Sequence, residues 1–204
     1  MVVSLSHEEE LRDLGFKHIA GIDEVGRGPL AGPVIAAAVI LPAGLSLPGV
    51  DDSKKLTLRK RERLYQEIVD KALAFGLGEA DVETIDRLNI AQASLQAMRR
   101  AVEALPFCPD LLLVDGNRVI PGVKSKQKTI IGGDAKCFSI ACASILAKVT
   151  RDRMMESYDI IYPGYGFSQN RGYGTLSHRK ALKRLGPCEI HRRSFSLFGP
   201  QGTE

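Results

Sequence analysis

The feature that most constrains this chain is a set of short runs that are apolar without alternation. Residues 18–22 (HIAGI), 33–41 (PVIAAAVIL) and 111–114 (LLLV) offer a sheet no polar face, so strands built from them need cover on both sides. The glycine-rich GRGPLAG between the first two reads as a connection, which makes an early hairpin the simplest arrangement. Helical stripes supply the cover. Leu64, Ile68, Ala72 and Phe75 recur at helical spacing after Thr57, a suitable N-cap, and Ala91, Leu95, Met98, Val102 and Leu105 do so ahead of Pro106. Thr129-Ile130-Ile131 is a further short strand, and Gly132-Gly133-Asp134 leads into an Ala-rich helix from about Ser139 to Ser157. Tyr162 to Thr175 reads as an ordered loop rich in Gly and Tyr, followed by a short basic helix, Leu176 to Leu185. The expected class is α/β, a mixed central β-sheet flanked by helices. A chain of 204 residues that is 44% hydrophobic can bury one core of its own, so a single domain spanning residues 1–204 is expected, with a small helical and loop extension from about residue 160 onward.

The net charge of +4 hides an asymmetry. Residues 1–116 carry 13 Lys and Arg against 18 Asp and Glu, whereas residues 117–204 carry 15 against 6. A basic C-terminal part suits a polyanionic partner, nucleic acid being the usual one, although a solvated basic face would look the same. The four cysteines, Cys108, Cys137, Cys142 and Cys188, lack zinc-site spacing and read as small core residues, with Cys108 beside Pro109 exposed. The start of the chain has no apolar signal core and no run approaches bilayer length, so a cytoplasmic protein without a membrane anchor is expected.

Acidic residues stand at the ends of the apolar runs: Asp23 and Glu24 after HIAGI, Asp115 after LLLV, and Asp134 after TIIGG. Carboxylates converging on a strand-end crevice can hold divalent cations, which neutralise charge at both ends of a phosphodiester under attack. Asp23 and Glu24 are adjacent and would point to opposite faces of an ideal strand, so a bulge or a strand end is needed to bring them together. Taken singly, each acid serves equally well as a cap, a turn residue or a salt-bridge partner.

The stretch from Gly21 to Pro33, GIDEVGRGPLAGP, closely resembles the signature of ribonuclease HII. Asp52-Ser53-Lys54 with Leu56, Leu113-Val114-Asp115-Gly116, Gly133-Asp134 with Ser144 to Val149 and Arg151-Asp152, Gly172-Tyr173-Gly174-Thr175, and His191 to Phe195 follow in that family's order. The resemblance implies an RNase H-like fold with Asp23, Glu24, Asp115 and Asp134 as catalytic, metal-binding carboxylates for two ions, Mg²⁺ or Mn²⁺. It implies an endonuclease acting on RNA/DNA hybrids and on the 5′ side of single ribonucleotides in duplex DNA, leaving 3′-hydroxyl and 5′-phosphate ends, with a part in ribonucleotide excision repair. Gly26, Arg27 and Gly28 are similar to the segment that reads the ribose 2′-hydroxyl, and Tyr173 to the tyrosine that packs on the sugar beside the junction. Lys54, Ser144 and Lys148 are carried over as phosphate contacts. The extension from about residue 160 would bind substrate, and a monomer is expected.

Two rival readings are kept. Ribonuclease HIII shares the carboxylates but usually carries an extra N-terminal domain, for which the stretch ahead of Gly21 leaves no room, and lacks Gly-Arg-Gly at the matching place. A non-catalytic duplex-binding protein would keep the basic half without needing all four acids. Several residues take structural readings instead. Gly26, Gly28 and Gly32 could simply shape a turn, Asp152 suits a salt bridge, Asp51 is set aside, and His178 and His191 are not needed as bases. Tyr162, Tyr165 and Phe167 are read as pins holding the glycine-rich loop to the core, and the tail after Phe195 as mobile.

Overall fold

The computed structural model of the chain describes Val3 and residues 5–198. A five-stranded mixed sheet lies at its centre, built from β1 (Ile19–Val25), β2 (Val34–Ile40), β3 (Ala74–Ala80), β4 (Leu111–Asp115) and β5 (Lys126–Ile130) in the order β3-β2-β1-β4-β5. β1, β2 and β3 pair antiparallel, whereas β4 and β5 run parallel to β1. The early hairpin is therefore present. Every residue of β2 is buried, because helices lie on both faces, and this explains a run with no alternation. The fold class matches the expectation.

Odd and even residues of β2 separate the two cores. Ala36, Ala38 and Ile40 pack with Ala93, Ala97, Met98 and Ala101 of α4 (Ile90–Glu103). Ile35, Ala37 and Val39 pack with Leu64 and Ile68 of α2 (Leu58–Lys71) and with Ala141, Ile145 and Leu146 of α5 (Phe138–Ile161). Thr57 caps α2 as expected, accepting the Lys60 amide. α1 (Ser6–Asp13) closes the sheet end near β4 through Leu11. Its Glu8 reaches across to accept the Ser139 amide at 2.7 Å, supplying the cap that the α5 N-terminus otherwise lacks.

Several elements differ from the sequence reading, among them β5, which begins at Lys126, and α5, which runs on to Ile161. The helix expected to reach Phe75 stops at Lys71, and Phe75 belongs to β3. The helix before Pro106 is preceded by a separate α3 (Val82–Leu88), broken from α4 at Asn89, whose φ of 70° ends one helix while its side chain caps the next. β3 went unread because Gly76 and Gly78 occupy it. They are there so that α4 can approach backbone to backbone: a Cβ at Gly78 would lie 2.1 Å from the Ala97 carbonyl oxygen.

The C-terminal part, with α6 (Phe167–Asn170) and α7 (Leu176–Leu185), forms its own small core against Leu30, Ala31 and Met155. Tyr165 and Phe167 stack with centroids 5.3 Å apart inside it, and the Tyr162 hydroxyl donates to Glu189, so all three tie the loop down. Leu197 is buried in the same core, which corrects the expectation of a tail mobile from Phe195; residues 199–204 lie outside the described residues. Cys108 is exposed, Cys137 and Cys142 are buried and Cys188 is half-buried. Among the described residues no helix is long and apolar enough to cross a membrane.

Gly78→Ala tests the close helix–sheet contact. Overpacking against backbone that has no side chain to move should cost roughly 3 kcal/mol, lowering the melting temperature by about 6–12 °C in a domain of this size. An unchanged melt would mean that α4 stands further from the sheet.

Candidate active site

β4 pairs with β1 only as far as Val114 opposite Ile22, and ends one residue later at Asp115. Beyond Ile22, β1 has therefore lost its neighbour on that side. The Asp23 side chain turns along the strand and accepts the Glu24 amide at 2.7 Å. One oxygen each from Asp23, Glu24 and Asp115 then lies within 4.8 Å of the others. No bulge is involved, since β1 keeps unbroken register with β2 from Ala20 to Val25. The strand end is what lets neighbouring side chains share a site.

Asp134 stands at the rim. It lies in a 3₁₀ turn, Gly133–Ala135, and its carboxylate is held by the Lys54 ammonium at 3.5 Å. Asp115 accepts the Gly133 amide at 2.7 Å, which ties that turn to the end of β4. The expected convergence of four carboxylates is thus a close group of three plus a fourth that reaches them through its charge. The turn geometry and the competing Lys54 hold it there.

The three clustered acids resist ionisation. Burial, then the charges of Glu24 and Asp115, push the Asp23 carboxyl well above its usual range, opposed by the Ser144 hydroxyl. Burial also raises Glu24, against the pull of Arg27, whose guanidinium donates to it at 3.0 Å. Burial raises Asp115 too, and the Gly133 amide pulls the other way. One Glu24 oxygen, Oε2, is buried with no hydrogen-bond partner. Crowded carboxylates with an orphaned oxygen and no nitrogen or sulfur donors suit a hard divalent cation such as Mg²⁺ or Mn²⁺. Asp23, Glu24 and Asp115 would hold it, with Asp134 beside them.

A cavity of about 300 Å³ opens on Asp23 and Glu24 and is lined by Ser53, Lys54, Arg61, Ser144, Lys148 and Tyr173. The Ser53 and Ser144 hydroxyls are 2.9 Å apart. Lys54 is the most exposed cation here, its side chain 75% accessible. Lys148 is committed to the buried Asp152 at 2.6 Å, and Arg61 and Arg171 share that carboxylate at 3.7 and 3.8 Å. Asp152 is therefore a salt-bridge residue, though not with its neighbours in sequence. On the other side of Glu24 a cavity of about 210 Å³ is bounded by Arg27, Asp115, Asn117 and Arg118. Sequence reasoning passed over Arg61, Asn117 and Arg118; the last two follow directly on Asp115-Gly116, and that adjacency was the available signal.

Two buried arginines fix the loop between β1 and β2. Arg151 donates to the carbonyls of Pro33 at 2.9 Å and Ala31 at 3.0 Å. Arg192 donates to Gly26 at 2.5 Å, Arg27 at 3.0 Å and Gly32 at 2.7 Å. Gly26 has φ +95°, and a Cβ there would lie 2.3 Å from Arg151 Nε, so the turn demands glycine. Gly28 is different. A Cβ on it would meet only the Tyr173 ring, at 3.7 Å, and Tyr173 is 44% exposed. His178 and His191 lie apart from this crevice, buried and bonded to each other.

The family model for ribonuclease HII matches residues 20–198. The chain belongs to the ribonuclease HII family. It is therefore a ribonuclease, a hydrolytic nuclease. Among relatives, it is 60% identical to ribonuclease HII of Geobacter sulfurreducens over 181 residues, 89% of this chain and 83% of that protein. It is 55% identical to ribonuclease HII of Enterococcus faecalis over 189 residues, 93% of this chain and 73% of that one. Among solved structures, ribonuclease H2 of Pyrococcus horikoshii superposes with a TM-score of 0.75 at 27% identity, covering 89% of this chain and 95% of its own. Bst-RNase HIII shares the fold, with a TM-score of 0.65 at 20% identity over 92% of this chain and 70% of its own.

The crowding has a measurable signature. An unfolded Asp ionises near pH 3.9, whereas folded Asp23 holds its proton to higher pH. Stability in chelator should therefore fall as pH rises from about 3.9 through the raised value. Asp23→Asn should lessen that fall, leaving the shares of Glu24 and Asp115, and melt higher than wild type at pH 7 in EDTA. A scanning calorimetry series from pH 4 to 8 checks this, and a variant that keeps the wild-type pH slope would show that the cluster carries no such strain.

Proposed function

We propose that this ribonuclease hydrolyses the RNA strand of RNA/DNA hybrids and incises 5′ to single ribonucleotides embedded in duplex DNA, leaving 3′-hydroxyl and 5′-phosphate ends. Asp23, Glu24, Asp115 and Asp134 hold two divalent ions, Mg²⁺ or Mn²⁺. The observation that carries this reading is the meeting of three carboxylate oxygens within 4.8 Å of one another beside a crevice that also presents Lys54 and Tyr173. When bound, the ions supply charge neutralisation at the attacking water and at the leaving 3′-oxygen.

The chain's own residues position the substrate. Arg192 draws the carbonyls of Gly26 and Arg27 inward. A trans peptide points its N–H opposite to its C=O, and none of the described peptides is cis, so the amides of Arg27 and Gly28 face away from that buried guanidinium. Those amides, with Gly28 carrying no side chain to block approach, form the reader of the 2′-hydroxyl, the group that separates RNA from DNA. Tyr173, in contact range of Gly28, packs on the sugar beside it. Lys54, Ser144 and Lys148 receive phosphate; Lys54, the most exposed of them, leaves Asp134 to do so, while Lys148 stays on Asp152 with Arg61 and Arg171, three cations around one carboxylate. Phosphate contacts carry no base information, so cutting is independent of sequence and weakens with salt. The extension from about residue 160 places Tyr173 and a basic helix against the duplex.

The test is cleavage of an end-labelled DNA duplex containing one ribonucleotide, in Mg²⁺, Mn²⁺ or EDTA, by wild type and Asp115→Asn. Incision 5′ to the ribonucleotide should require metal and fall by on the order of a hundredfold or more in the variant, since metal-held charge stabilisation is worth several kcal/mol. An intact duplex under every condition, from folded protein, would leave duplex binding as the better reading.

A further inference from the structure

The C-terminal core contains two histidines that the mechanism does not use. His178 is 0% exposed and His191 1%. They form one continuous hydrogen-bonded chain. The Cys188 backbone amide donates to His191 Nδ1 at 2.9 Å, the two Nε2 atoms are 3.0 Å apart, and His178 Nδ1 is 2.9 Å from the Tyr173 carbonyl oxygen. The ends of this chain fix its direction. A backbone amide can only donate and a carbonyl can only accept, so His191 carries its proton on Nε2 and His178 on Nδ1, and both rings are neutral. One additional proton anywhere in the chain sets two donors face to face, because neither end can reverse.

We propose that His178 and His191 are positioning residues for the reaction: a neutral relay with a single tautomer pattern that holds the Tyr173 backbone, and through it the Tyr173 ring, beside Gly28 and the carboxylates. The inference rests on the reading of Tyr173 as the sugar-packing residue. The relay is anchored away from the crevice, at Cys188, and is packed against Phe167 on both rings, with centroids 5.4 and 5.6 Å away. It therefore transmits the position of the C-terminal core to Tyr173, the residue that the C-terminal part contributes to the crevice among the described residues. Tyr173 is held again by its own amide, which donates to the Asn170 carbonyl at 2.8 Å.

The surroundings favour the neutral form. Arg179 on α7 opposes a charge on His178, and Tyr165 and Cys188 face the pair without offering an anion. Arg192, next in the chain, is engaged with the loop carbonyls, and Glu189 is engaged with Tyr162. Burial lowers His178, and burial followed by the charge of His178 takes His191 down to about 4. Unfolded imidazoles take up protons below about pH 6.5. The pair's stabilisation is thus fully present above that pH and is lost as pH falls toward about 4.

Two variants and one spectrum test the relay. His178→Phe fills the space without the donor; His178→Asn keeps an N–H within reach of the Tyr173 carbonyl and cannot titrate. On the single-ribonucleotide duplex, His178→Phe should lower kcat roughly tenfold with little change in KM, as expected for a lost buried hydrogen bond that positions a reacting group. Tyr173→Ala should show the same pattern. His178→Asn should recover most of kcat and move the acid-side decline of activity to lower pH. Long-range ¹H–¹⁵N spectra of the wild type at pH 7.5 should show His178 protonated on Nδ1 and His191 on Nε2. Reversed tautomers overturn the relay even if no variant folds. If Tyr173→Ala lowers kcat while His178→Phe does not, the relay fails alone; if Tyr173→Ala leaves kcat unchanged, the reading of Tyr173 fails and takes the relay with it.

Discussion

The arrangement depends on two guanidinium groups taken out of water to hold main-chain carbonyls. Arg151 and Arg192 are both 0% exposed, and an unpaired buried charge of this kind would be severely destabilising. Each instead donates from all three of its nitrogens to carbonyl oxygens, those of the β1–β2 loop in every case but Arg171 O, a further acceptor for Arg151. Burial lowers Arg151 to about 10 and Arg192 to about 9, which still leaves both charged at neutral pH. One comes from α5 and the other from the segment after α7, so they clamp the same loop from two directions. A lysine in either place would offer one ammonium where a planar fork reaches several carbonyls.

That clamp explains how two halves of unlike charge build one crevice. The carboxylates come from the sheet, where the strand ends are set by hydrogen-bond register. Tyr173 comes from the C-terminal part, and its neighbour Gly172 is joined to the loop when its carbonyl accepts the Leu30 amide at 2.8 Å. Asp86 at the other border accepts the amides of Arg193 and Ser194. The C-terminal part is thus stitched to the β1–β2 loop and to α3 by backbone groups on both sides of Arg192. The acids are left mutually repelling, a cost that a protein tolerates where function needs the charge.

How much of this the sequence revealed varies by element, for physical reasons. β2 and α7 were readable because burial on both faces and a short amphipathic stretch each leave a plain pattern, and α7 begins and ends where Leu176 and Leu185 suggested. β3 was not, because the glycines that permit backbone contact with α4 erase strand propensity. The acids were visible as positions at strand ends, and the family resemblance singled them out. Their unequal placement was not visible, since it turns on a 3₁₀ turn and on Lys54. Arg151 and Arg192 could be seen as motif members, but a basic residue in sequence reads as surface, and only the fold shows them buried against carbonyls.

Gly26 and Gly28 separate two reasons for glycine that the sequence presents as one. Gly26 is required by its own backbone and by Arg151, with or without a substrate. Gly28 has no positive φ and no backbone in the way, so the fold alone would accept a side chain there. What a side chain at Gly28 would obstruct is the space between this peptide and the Tyr173 ring. The carbonyls of the two preceding residues are turned inward to Arg192, so the amides of the same peptides, which point the opposite way, are fixed in direction before any ligand arrives. A donor surface held in place by buried charge does not have to be ordered on binding, and the proposed reading of one hydroxyl would draw on that.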